Sequence, residues 1–153
     1  FWSVILIVVI IMKKYYIFAI NREFYSDYAD NQKSLYKILK NLYTLDTDYM
    51  NYGLSIYNQL CAPINKEILE SYYKDYNSIE NHYYINNCII EINNSCMVVL
   101  TNRLSLVNLK YLYYYNFPLF ICDFDNDRFS FLNHEYFKNV DNIIKWLERK
   151  AYF

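Results

Sequence analysis

Leu119 to Leu132 reads LFICDFDNDRFSFL: an apolar run, a polar tip at Asp125-Asn126-Asp127, then a second apolar run. Asp and Asn favour tight turns because their short side chains bond nearby backbone amides. The stretch therefore reads as strand (Leu119–Phe124), turn, strand (Arg128–Leu132). Two strands joined by so short a tip run antiparallel, since a parallel return needs a long crossover. The same grammar recurs upstream. His82–Ile92 (HYYINNCIIEI) and Cys96–Thr101 (CMVVLT) flank the turn residues Asn93-Asn94-Ser95, and the Asn86-Asn87 doublet can split the first run into two strands. Tyr15–Ile20 (YYIFAI), aromatic and β-branched, reads as the first strand.

Between these runs the period changes from two to 3.6. In SLYKILKNLY, Leu35, Ile38, Leu39 and Leu42 fall at i, i+3, i+4 and i+7, with Lys33, Lys37 and Lys40 on the other side, which predicts an amphipathic helix. Asp46-Thr47-Asp48 offers caps for a second helix through about Cys61, stopped by Pro63 and containing the single glycine, Gly53. A third helix follows Pro63, with Asn65 as N-cap, Ile64 and Leu69 as hydrophobic staple, and Glu70–Lys74 as an i,i+4 pair. Tyr76–Asn81 reads as polar loop. Further helices are predicted over Leu104–Tyr115, closed by Pro118, and over Val140–Lys150. The order β-α-α-α-β-β-α-β-β-α predicts an α+β single domain, a mostly antiparallel β-sheet packed with several α-helices.

Composition supports one folded domain. The chain has 153 residues, 55% hydrophobic and 20% charged, with one Gly and two Pro, which excludes disordered, collagen-like and linker classes. Fifteen basic against sixteen acidic residues leave a net charge of −1, which argues against broad contact with nucleic acid or an anionic membrane. Twenty Tyr and ten Phe follow from A/T-rich codons, as do the abundant Asn, Ile and Lys; they indicate an AT-rich genome before they indicate a binding surface. Cys61, Cys88, Cys96 and Cys122 form no C-x-x-C pair, so they read as structural thiols of a reducing compartment, the cytosol. The apolar stretch 1–11 (FWSVILIVVII) is short for a membrane span and lacks signal-peptide features. It reads as an upstream extension before a start at Met12, with a peripheral membrane anchor as the alternative.

Catalytic signals are sparse. Asp123, Asp125 and Asp127 after a hydrophobic strand suggest, as an alternative reading, a Mg²⁺-dependent phosphohydrolase using the Asp123/Asp125 pair. Only about thirty residues remain downstream for the rest of such a site, and Asp127 stands where Thr or Val is expected. An EF-hand loop fails at Arg128, where Gly is needed, and at His134, where Glu is needed. His82 and His134 are 52 positions apart with no ligand-type neighbours at metal spacing. One glycine precludes the Gly-rich phosphate loops. The expectation is no enzyme, no catalytic or metal residue, no cofactor and no small-molecule substrate.

Lys14–Tyr28 (KYYIFAINREFYSDY) resembles the opening of the sporulation inhibitor of replication (SirA) family: a Tyr-Tyr strand, a charged turn, then Phe and, four residues on, Tyr. Asn58–Ile64 (NQLCAPI) is similar to that family's polar helix end closed by Pro-Ile, and Cys88–Ile92 (CIIEI) to its aliphatic strand with an internal Glu. Phe120–Asn133 is similar to its apolar strand through Asp-Phe, though Ser130-Phe131 stands where the family has Gly-Trp. The helix before Pro63 matches only loosely. The resemblance divides the chain into the 1–11 extension, a SirA-like domain over 12–133 and a C-terminal helical extension over 134–153. It implies a cytoplasmic, non-catalytic inhibitor that binds the N-terminal domain of the replication initiator DnaA and blocks its assembly at the origin as cells commit to sporulation, in low-GC Gram-positive bacteria. It places partner contact on Phe24 and Tyr28, with Arg22 and Tyr25 as weaker rim positions. Two aromatics on one helical face, flanked by Glu23, Ser26 and Asp27, suit a hot spot with a polar rim. They equally suit packing on the sheet, and the sequence leaves both roles open.

Overall fold

The computed structural model describes residues 13–85, 88–101, 109, 112, 114–133, 136 and 138. The 1–11 extension, most of the predicted 104–115 helix, the Val140–Lys150 helix and His134 lie outside the described residues.

The chain is an α+β domain built on one sheet. Its axis is β1 (Lys13–Ile20), two residues longer than the sequence predicts. Both faces of β1 are apolar. Tyr15, Ile17 and Ala19 point one way and Tyr16, Phe18 and Ile20 the other, as the two-residue strand period requires. A strand with no polar face is stable only when covered on both sides, and β1 accordingly lies inside the sheet.

The element order is β1, α1 (Arg22–Tyr28), α2 (Gln32–Tyr43), a 3₁₀ turn (Thr47–Tyr49), α3 (Met50–Leu60), β2 (Cys61–Ala62), α4 (Lys66–Tyr73), β3 (Asn77–Ile79), β4 (His82–Ile85), β5 (Cys88–Ile92), β6 (Met97–Thr101), β7 (Leu119–Asp123) and β8 (Arg128–Phe131). The strands stand in the order β3-β4-β5-β6-β1-β7-β8, with β2 extending the β6 side of β1 through Ala19↔Ala62 and Ile20↔Cys61. Every described pairing is antiparallel. The run from His82 splits at the asparagine doublet into β4 and β5, and Asn93 closes the next turn by donating its backbone N–H to the Cys96 carbonyl at 3.1 Å.

Each sheet face carries its own core. On one, Tyr15, Ile17, Ile90, Val99 and Ile121 pack under α4 (Leu69, Tyr73) and under Leu109, Leu112 and Tyr115. On the other, Ile20, Phe120, Cys122 and Phe131 pack under α2 (Leu35, Tyr36, Leu39) and the end of α3 at Leu60. The Asn65 cap forms as expected, its side-chain oxygen accepting the Ile68 backbone N–H at 3.3 Å, and Ile64 and Leu69 are both buried in the first core. The helix ends at Tyr73, so Lys74 stands on the cap, and no ion pair joins it to Glu70.

Two expectations need correction. Tyr76–Asn81 is not simply loop: Asn77–Ile79 pair with His82–Tyr84 as an exposed edge strand, which has no buried face to leave a pattern in the sequence. After Leu60 the chain also makes the two-residue strand β2 before Pro63, which lacks the N–H to continue it.

Candidate interaction surface

The residues singled out by sequence lie together on α1, the seven-residue helix between β1 and α2. Its entry is held from three sides. The backbone N–H of Asn21 donates to the Leu60 carbonyl at 2.9 Å, and its side-chain amide donates to the Gln59 carbonyl at 2.7 Å. Arg22 donates to the Asn116 carbonyl and holds its guanidinium 5.3 Å from the Phe117 ring centroid. Tyr25 sets its ring edge-on to Phe131, centroids 4.9 Å apart. So short a helix has little intrinsic stability, and these tertiary contacts fix it.

Phe24, Tyr25 and Tyr28 are all half-buried and pack on the second core, while Arg22, Glu23, Ser26 and Asp27 are exposed. Of the two roles left open by the sequence, the packing one is thus present. Phe24 and Tyr28 anchor α1 and still present part of each ring to solvent, inside a charged and polar rim. Arg22 and Tyr25 belong to a neighbouring feature: they line a cleft of about 650 Å³ walled by Phe117, Pro118, Phe131 and Leu132. No motif marks that cleft, because the chain segments that form it are about ninety residues apart in sequence.

A second concavity, about 370 Å³, lies between β1, α2 and α3. Tyr16 and Phe18 form its floor, and Leu42, Tyr43, Met50 and Leu54 its walls. An aromatic series borders it: Phe129 stacks on Tyr36 (4.6 Å), Tyr36 on Phe124 (5.7 Å), Phe124 on Tyr43 (4.7 Å), and Tyr43 meets Tyr16 (5.1 Å). Tyr36 is off the predicted leucine stripe and is buried by this stacking. Sequence periodicity gave no hint of it.

Two of the three aspartates at the β7–β8 turn, Asp123 and Asp127, make contacts that hold the turn in place. Asp123 is buried, and its carboxylate accepts the Asn126 backbone N–H at 3.3 Å and the Asn126 side-chain amide at 2.9 Å. Asp127 adopts a left-handed backbone, φ 52°, which Asp tolerates better than most residues. Its carboxylate accepts from the Tyr36 hydroxyl at 2.8 Å and from Lys40, tying the hairpin to α2. These bonds hold the Asp127 carboxyl below its ordinary range, while burial and the same contact push the Tyr36 hydroxyl up. Asp125 is exposed. Among the described residues no three His, Cys, Asp or Glu side chains converge as a metal site. His82 instead lies across from Glu91, Nε2 to Oε2 3.8 Å.

All four cysteines are buried and free. Burial pushes the Cys61 thiol up to about 12 and that of Cys88 to about 11, the reverse of what a nucleophile needs. No helix among the described residues is long and apolar enough to cross a membrane. The sequence matches no protein-family model and no curated protein.

Proposed function

We propose that this chain is a non-catalytic, cytoplasmic protein–protein inhibitor of DNA replication initiation that binds the N-terminal domain of the initiator DnaA during commitment to sporulation. The observation that carries this reading is α1 itself. It is a short helix pinned at its entry by Asn21 and Arg22, with Phe24 and Tyr28 half-exposed one turn apart inside the rim of Arg22, Glu23, Ser26 and Asp27. Rings fixed in this way lose little freedom on binding, which is how a small patch reaches useful affinity. The resemblance of Lys14–Tyr28 to the SirA opening supplies the identity of the partner.

The mechanism is occlusion. A modest interface centred on α1 covers the surface that the initiator uses for productive assembly, and active complexes at the origin do not form. No bond is made or broken. Calorimetry of the chain against the N-terminal domain of its host's DnaA is expected to give 1:1 binding in the micromolar range or tighter. Absence of binding by a well-folded sample refutes the assignment.

A further inference from the structure

We propose that the groove between β1, α2 and α3 is a self-association surface, occupied in solution by a second copy of this chain. This goes beyond the reading of α1 and does not depend on it.

The rim exposes an unusual concentration of apolar side chains. Tyr43 is 54% exposed, Met50 52% and Leu54 52%, all lining the groove, and Tyr49 stands beside them at 61%. Met50, Leu54 and Tyr57 recur at helical spacing along α3 and lie on one face of it. The same face of the sheet continues into Ile89 and Leu100, half-buried, and Tyr84, 42% exposed. Scattered apolar residues on a surface need no explanation, but a contiguous set around a concavity marks an interface.

Area and shape favour a copy of the same chain. With 150–250 Å² per large side chain, the exposed fractions amount to roughly 500 Å² per copy, so roughly 1,000 Å² for a symmetric pair, the lower bound of a specific interface. The patch holds both halves of a fit: a concave part of about 370 Å³ and an exposed ring, Tyr49, the residue that precedes the wall residue Met50 in the chain. A two-fold axis lets each copy insert its ridge into the groove of the other, as an isologous interface requires.

The test is sedimentation equilibrium of the full chain over a concentration series reaching several hundred micromolar. The mass is expected to rise from 18.8 kDa toward twice that value, with a dissociation constant in the micromolar range. Leu54→Glu and Met50→Glu, both at exposed helical positions, are each expected to weaken self-association about tenfold or more while circular dichroism and thermal midpoint stay unchanged. A mass of 18.8 kDa at every concentration overturns the proposal. So does a dimer that survives both substitutions, which would assign association to another surface, such as the apolar residues 1–11.

Discussion

Phe24→Ala separates packing on the second core from the partner contact proposed for α1. Complete burial makes a Phe→Ala change cost about 3–5 kcal/mol, so a half-buried ring on the edge of the second core is expected to cost roughly 1.5–2.5 kcal/mol. A domain of this size has about 5–15 kcal/mol to lose, so the variant stays folded. If the exposed half of the ring is an interface anchor, affinity for the DnaA domain falls by about 2 kcal/mol or more, roughly thirtyfold in dissociation constant. The control is Phe120→Ala. Phe120 is 0% exposed on β7, which β1 and β8 flank, packed edge-on to Phe131 at 4.8 Å, and its loss is expected to remove about 3–5 kcal/mol of stability with no direct effect on binding. Urea denaturation followed by far-ultraviolet circular dichroism gives the stabilities, and calorimetry at a temperature where each variant is folded gives the affinities. An unchanged affinity in Phe24→Ala, or an equal loss in Phe120→Ala, refutes the placement of the contact on α1.

Other outcomes follow from the same contacts. Asp127 is held below its ordinary range by Lys40 and Tyr36, so its contribution to stability is present above the unfolded-state value and is lost as pH falls through the folded one; Asp127→Asn is expected to destabilise at neutral pH and to converge with the unsubstituted protein in acid, as urea melts at several pH values will report. The four buried thiols are expected to react with a disulfide reagent at mild alkaline pH only after unfolding, and rapid labelling of the native protein would contradict their burial. Gly53→Ala places a Cβ 2.5 Å from Cδ2 of Leu45, the mobile end of a half-buried side chain; the gain in helix propensity, about 1 kcal/mol, offsets its displacement, and the thermal midpoint is expected to move little.

The candidate site was legible in part. Phe24 and Tyr28 stood out because a helical spacing of four aligns two rings, yet whether those rings face core or water is set by the second core they pack on, which draws members such as Phe120 and Phe131 from about a hundred residues away. The groove was not legible at all. Its floor comes from the outward face of β1 and its walls from two helices, and no local pattern records that Met50 and Leu54 of α3 stand exposed where Leu35 and Leu39 of α2 are covered.

What the sequence by itself determined are the features whose causes are local: the turn at Asp125–Asp127, the leucine stripe of α2, the Asn65 cap of α4, and strands whose alternation survives reading in isolation. Each rests on a side chain acting within a few residues of itself. Only the tertiary structure decided that β1 lies at the centre of the sheet between β6 and β7, that Asn77–Ile79 becomes an edge strand, that Tyr36 is buried by stacking, and that Arg22 meets Asn116. Those outcomes depend on partners up to about a hundred residues away, and an apolar strand such as YYIFAI carries no mark of which neighbours will cover its two faces.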